Sequence, residues 1–148
     1  MDVHVMIFIG FGFLMVFLKS HSWGSVGMNY FLAAWSLEVC VLTGAFWHTI
    51  GEFYANGDEA NHWHKADVDL GTLIFLAEFG SGAVLITFGA LLGKANFYQL
   101  WAISTIEVFF FSLNDALIYD VLQLIDVGGA MTIHMFGAFF GLSASYFF

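Results

Sequence analysis

The chain has no proline, no arginine, one cysteine and only three basic side chains in 148 residues. A single cysteine excludes an intrachain disulfide. Cys40 lies inside an apolar run, which marks it as an inert core thiol. Three lysines stand against 12 acidic residues, for a net charge of −9. That balance excludes the basic surface that nucleic acid requires. It also excludes electrostatic docking on anionic lipid headgroups. No Asn-x-Ser/Thr triplet occurs, so the sequence offers no N-glycosylation acceptor. Charged residues make up 10% of the chain, far below the roughly 25% of soluble domains.

Hydrophobic residues fill that deficit. They account for 60% of the chain, and 20% is aromatic. Mean hydropathy is +0.84. These values describe an integral, multi-pass membrane protein. Five stretches approach or reach the roughly 20 apolar residues a bilayer-spanning helix needs: 3–18, 26–47, 70–93, 97–121 and 127–148. Strands are excluded because a membrane barrel alternates apolar and polar residues. Here whole runs are apolar, as in Val108-Phe109-Phe110-Phe111. The expected fold is therefore all-α, one transmembrane domain of five helices over 1–148. A signal peptide is not expected, since Asp2 stands where a basic segment belongs and no small-residue cleavage site follows. The last run ends in Ser145-Tyr146-Phe147-Phe148 without a polar flank, so a fragment of a longer chain is expected. No internal repeat is visible.

The expected connections are 19–25, 48–69, 94–96 and 122–126. Lys19 and Lys94 fall in connections on one side, which the positive-inside rule assigns to the cytoplasm, with only Lys65 on the other side opposing. The chain then starts outside and ends inside, with the acidic connection 48–69 outside. That connection holds His62, His64, Asp67 and Asp69. His-Trp-His spacing without a regular scaffold is weak support for a metal site, and a solvated acidic loop is the favoured reading.

Ionisable side chains inside a membrane span are functional-site candidates. His134 is the only His, Asp, Glu, Lys or Arg beyond Asp126. Its helical neighbours at three, four, seven and eleven positions are Ala130, Gly137, Ala138, Gly141 and Ser145. The opposite side carries Ile133, Met135, Phe136, Phe139 and Phe140. A thin face of this kind suits close helix contact or the lining of a narrow path. A histidine bonded to a neighbouring helix fits equally well. Glu38, Glu78, Glu107 and Asp115 also fall well inside spans. Glu107 and Asp115 are eight residues apart and share a face. Asp115 lies about 9 Å outward of the middle of its span, where a carboxylate suits an outer vestibule that gathers cations. A bond to a facing helix suits it as well. Glu107, near the middle, is expected to be protonated or hydrogen-bonded. Asp126 precedes Gly128 and Gly129 at the start of the fifth span, and an anchoring role for the helix start is expected.

Four segments carry a resemblance: DVHVMIFIGFGFLMVFLK at 2–19, VGMNYFLAAW at 26–35, FGALLGK at 88–94 and DVGGAMTIHMFGAFFGL at 126–142. In order and over nearly the whole chain, they resemble the Rh glycoproteins, the animal-type branch of the ammonium transporter (Amt/Mep/Rh) superfamily. The connection 48–69 matches least. The resemblance implies homotrimers with a pore through each subunit, each built of two inverted five-helix halves. This chain corresponds to the first half. It implies that His134 is one of two pore histidines, the other lying in the second half. It implies that Phe79 is the outer aromatic gate, Asp115 the vestibule acid and Asp126 the structural aspartate. Glu38 and Glu107 depart from the pattern, standing where glutamine is expected.

The implied function is transport of ammonium as neutral ammonia through a hydrophobic pore in the plasma membrane. Methylamine and carbon dioxide are further possible permeants. No cofactor, metal or enzymatic activity is implied. The physics suits such a role. Bare ammonium in an apolar tube loses its hydration at a cost of many kcal/mol, and ammonia does not. Such a passage needs acids at its mouth, an aromatic constriction, and neutral imidazoles that donate from one nitrogen and accept at the other. Two other classes remain open at this level: a haem- or quinone-binding membrane subunit, and a purely structural subunit. Haem needs axial ligands, and only His134 is deep.

Overall fold

The computed structural model describes residues 2–16, 23–56 and 70–148. The expectations for Lys19 and for His62, His64, Asp67 and Asp69 fall outside those residues.

All described elements are helical. Helix α1 covers 2–16, with a π-helical stretch Met6–Gly10 between α-helical ends. Helix α2 is Trp23–Asn56 and α3 is Leu70–Leu91. Helix α4 covers 97–121, α-helical over Phe97–Ala116 and π-helical over Leu117–Val121. Helix α5 covers 130–147, opening as a π-helix at Ala130–Met135 and continuing as Phe136–Phe147. Among the described residues, three helices are long and apolar enough to cross a membrane: Trp23–Gly51, Leu70–Leu91 and Phe97–Val121. Hydrocarbon offers no partner to a free backbone group, so helices that satisfy their own backbone are the available solution. With no proline in the chain, nothing removes a helical N–H from these runs. Helix α4 starts at a capping box: Asn96 Oδ1 accepts from Gln99 N at 3.0 Å, and Asn96 N donates to Gln99 Oε1 at 2.8 Å.

One boundary differs from the sequence expectation. Residues 48–56 were expected in a polar connection, yet α2 runs on through His48 to Asn56. The segment carries Trp47, Ile50, Phe53 and Tyr54 at helical spacing, and Thr49 Oγ1 donates back to Ala45 O at 2.7 Å. His48 is thereby held on a rigid element instead of a loop.

Helix α3 sits at the centre. Of its most apolar window 61% is buried, against 28% for α2 and 44% for α4. It packs on α2, α4 and α5, while α1 lies chiefly against α2. Small and hydroxyl residues join the helices, as expected where packing and interhelical hydrogen bonds replace the hydrophobic effect. Ser81 Oγ on α3 donates to Ala33 O on α2 at 3.1 Å, and Ser36 Oγ reaches Ser81 Oγ at 3.1 Å. Trp35 Nε1 donates to Thr105 Oγ1 at 2.9 Å, tying α2 to α4. Lys94 Nζ donates to Ser145 Oγ at 2.6 Å, tying the α3–α4 turn to the end of α5.

The α3–α5 seam is the closest approach of backbones. A Cβ on Gly137 would stand 2.9 Å from the Ala83 carbonyl oxygen, and one on Gly141 3.0 Å from Thr87 Cα. Both neighbours are main-chain atoms and cannot swing aside. We expect Gly137→Val to destabilise the fold by about 1–3 kcal/mol through overpacking. Ala138→Val, at the exposed next position, is expected to change stability little. Denaturation of the purified protein in mixed micelles checks the pair. Equal stability of the two variants would contradict the seam.

Candidate functional site

A cavity of about 640 Å³ opens at one end of the bundle. The C-terminal ends of α2 and α4, the start of α3 and the start of α5 form it. Its wall includes His48, Phe79, Asp115, Asp120, Asp126 and Thr132. Three sequence-predicted residues are thus brought together: Phe79, Asp115 and Asp126.

Phe79 is half-buried on α3 and meets Phe75 edge-to-face, with ring centroids 4.6 Å apart. Asp115, on α4, is 3% exposed. It faces a residue that sequence reasoning missed: His48 Nε2 lies 3.2 Å from Asp115 Oδ2. The other edge of the same ring is also engaged, with Nδ1 2.6 Å from Asp120 Oδ2. The sequence reading puts His48 in a connection and gives Asp120, near the end of the fourth span, no partner. The helical spacing of Trp47, Ile50 and Tyr54 was the signal available for placing His48.

Asp126 sits in the α4–α5 connection. Its Oδ2 accepts from Thr132 N at 2.8 Å, Met131 N at 2.9 Å and Thr132 Oγ1 at 3.0 Å. The backbone N–H groups at a helix start have no intrahelical acceptor, and this carboxylate meets two of them. The Thr132 backbone N–H, joined by that of Met131 and the Thr132 hydroxyl, holds the Asp126 carboxyl below its ordinary range, against a smaller opposing effect of burial. Gly129 lets the chain turn into the helix, with φ at 66°.

His134 lies on the wide first turn of α5, where its backbone N–H donates to Gly129 O at 3.0 Å. It does not line the cavity. Its residue is exposed, as are Ala130 and Ala138, whereas Gly137 and Gly141 are buried against α3. The small face of α5 therefore divides in two. The glycines make the helix contact, and the histidine stands beside them on the open side. No hydrogen bond reaches its ring among the described residues.

The remaining intramembrane carboxylates also find positions. Glu107 is fully buried and accepts from Thr87 Oγ1 at 2.5 Å, while its Oε2 has no partner among the described residues. Glu78 is buried and paired with His4 Nδ1 from α1. Glu38 is exposed on α2. Among the described residues, no group of three or more His, Cys, Asp or Glu side chains is placed to hold a metal ion.

This arrangement belongs to a known sequence class. The family described as the Ammonium Transporter Family matches residues 1–148. The chain belongs to that family. It is 45% identical to ammonium transporter Rh type B of Tetraodon nigroviridis over 141 residues, which cover 95% of the chain and 29% of that protein. It is 44% identical to Rh type B of Bos taurus over 145 residues, covering 97% and 29%. For Rh type B of Xenopus tropicalis the identity is 45% over 144 residues, covering 97% and 29%. The chain thus spans under a third of the length of these relatives. They are named as transporters, not enzymes, and the match places the chain in the Rh branch of the superfamily. The apolar helices and this kinship make it an integral membrane protein. No solved structure matches it.

The Asp126 contacts generate a prediction. Asp126→Ala removes an acceptor from a helix start and is expected to cost about 0.5–2 kcal/mol. Because the folded carboxyl titrates below its ordinary value of about 3.9, its stabilisation is complete above that pH. It is lost as pH falls through the lower folded value. Unfolding measured from neutral to acidic pH is expected to show the wild-type advantage shrinking below about pH 4. An advantage independent of pH would remove the charged anchor from the account.

Proposed function

We propose that this chain forms the first half of an ammonium-transporting channel and that the permeant in the membrane is neutral ammonia. The observation that carries the reading is the division of the α5 face. A histidine on the open side of a seam made by two glycines directly follows Thr132 and Ile133, which line an acidic, phenylalanine-flanked cavity. Three functions then follow. Asp115 attracts the cation at the mouth. Phe79 narrows the way and excludes water and ions. His134 offers ammonia a hydrogen-bonding edge in surroundings too apolar for ammonium.

The second wall of the path is the part a second, inverted half would supply. In transporters of that design the site lies at the interface of the two repeats. The relatives' greater length supports this reading, since the chain covers only 29% of them. So does the exposed α5 face, which a facing half would cover. Asp126 acts here as a structural anchor for α5, away from the permeant. The assembled protein is a homotrimer in the plasma membrane on this reading, and methylamine is the natural permeant analogue.

The test uses the 148 residues continued by the remaining length of the Bos taurus relative. In proteoliposomes, His134→Leu keeps approximate size but removes both ring nitrogens, and leucine is inexpensive in a membrane span. It is expected to fold and to lose ammonia flux about tenfold or more. That corresponds to roughly 1.4 kcal/mol or more of barrier, the scale of one hydrogen bond. His134→Asp is expected to admit a cation and shift selectivity toward methylammonium. Unchanged flux and unchanged pH dependence in both variants would make His134 a packing residue and end the proposal.

A further inference from the structure

Attraction of a cation by Asp115 does not account for His48, which is held between Asp115 and Asp120. Asp115 and Asp120 are five residues apart. On a regular α-helix that spacing points them about 140° apart. The π-helical turn Leu117–Val121 closes with i→i+5 bonds and carries Asp120 round to the side of Asp115. Space is also made for it across the bundle. A Cβ on Gly51 of α2 would stand 2.8 Å from Asp120 Oδ2. Any larger residue there would push the carboxylate away from His48, one turn earlier on the same helix. Two local features, a wide turn and a glycine, thus converge on one three-residue contact in the cavity wall.

Hydrogen-bond accounting then constrains the protons. A neutral imidazole has one N–H, and an ionised carboxylate only accepts. His48 meets a carboxylate oxygen at each ring nitrogen, at 3.2 and 2.6 Å. Both contacts are made only if the triad holds one proton more than a neutral ring and two carboxylates hold. With that proton the triad carries −1, and without it −2. Its carboxylates are shielded, the side chains being 4% exposed for Asp115 and 19% for Asp120. Charge inside this wall is therefore felt more strongly than in water.

We infer that His48 is a positioning residue whose shared proton is exchanged for an ammonium-type cation at Asp115. The inference rests on reading the cavity as the ammonium vestibule. In the exchange, one proton leaves ring Nε2 for water and the imidazole becomes neutral. Asp115 Oδ2 then accepts an N–H of the cation in place of the imidazolium N–H. One positive charge replaces another, and the triad with its guest returns to −1. Alkali cations offer no N–H to the vacated oxygen, so primary ammonium ions are the favoured class. Among the described residues, the other titratable groups on the cavity wall are Tyr119 from α4 and Asp126 from the connection, with Asp126 adding a negative charge. Helix α3 faces it with Thr72 and apolar side chains. Glu52 follows four residues later on α2. Occupancy of the site is expected to rise with pH as the proton yields.

The test needs no flux, so its failure is separable from failure of the channel reading. The 148-residue chain is prepared in lipid nanodiscs with ¹⁵N-labelled histidine, and the His48 ring is assigned by its loss in His48→Gln. We expect both ring nitrogens protonated at neutral pH. We expect the titration midpoint to drop by at least one pH unit, a tenfold loss of proton affinity, in Asp120→Asn and in Asp115→Asn. Methylammonium chloride is expected to lower the wild-type midpoint relative to the same concentration of sodium chloride, and not to do so in Asp115→Asn. Helix content by circular dichroism verifies folding of each variant, and Asp120→Asn stands alone if Asp115→Asn does not fold. A single neutral tautomer at neutral pH, insensitive to both aspartate substitutions, would overturn the shared proton. A shared proton with identical methylammonium and sodium titrations would overturn the exchange.

Discussion

Hydrocarbon gives no hydrogen bond to a polar group, and most of this structure is a response to that constraint. Backbone groups are satisfied within helices. Hydroxyls on α2, α3 and α4 bond across helix seams or back to their own helix, as Ser36, Ser81 and Thr105 do. Carboxylates find partners on other helices: Glu78 with His4, Glu107 with Thr87, and Asp115 with His48. His134 departs from that pattern, as do Glu38, exposed on α2, and the buried Trp47 Nε1 and Glu107 Oε2, which have no partner among the described residues. The His134 ring has no hydrogen bond among the described residues, and it lies on the open side of α5. An unsatisfied imidazole in a membrane span is costly, and the proposed function accounts for it by a partner outside the described part of the fold. On the proposed reading that partner is the permeant and the second half.

Much of the fold could be read from the chain. Five apolar runs correspond to five helices, and the Asn96–Gln99 box marks the start of α4. His134 stood out because no other histidine, acid or basic residue follows Asp126, and the glycines beside it suited close contact. What one sequence does not carry is long-range pairing. His48 and Asp120 are 72 residues apart, and their meeting depends on the end of α2, a π-helical turn in α4 and the room left by Gly51. None of these has a local signature that fixes the other two. The end of α2 was missed for a more ordinary reason. The polar residues of 48–56 outweighed the helical spacing of its aromatics.

On the proposed reading, the two ends of the path are held by different means. At the cavity end, acidic groups are gathered by helix geometry, and Asp126 fixes the start of α5 through backbone N–H groups. Deeper in, position depends on steric fit. Gly137 and Gly141 allow α5 to lie against Ala83 and Thr87, which sets the rotation of the helix and hence the direction of His134. Substitutions at the two ends should therefore fail differently. Changes in the acidic group alter charge and pH response, whereas changes in the glycine seam rotate or detach the helix.

The central claim is that the open face of α5 is the wall of a water-accessible path. Within the 148 residues the only cysteine, Cys40, is 0% exposed, so single cysteines placed elsewhere report cleanly once any cysteines of the added segment are replaced by serine. In the chain continued by the remaining length of the Bos taurus relative, Ala130→Cys and Ala138→Cys are treated with a small charged thiol reagent during flux measurements. The account predicts that Ala130→Cys is modified from the aqueous phase and that flux falls. Ala138→Cys, beyond the apolar constriction, is predicted to be reached only by a small neutral reagent, with the same loss of flux. Modification of neither position, or modification of both with flux intact, would contradict it.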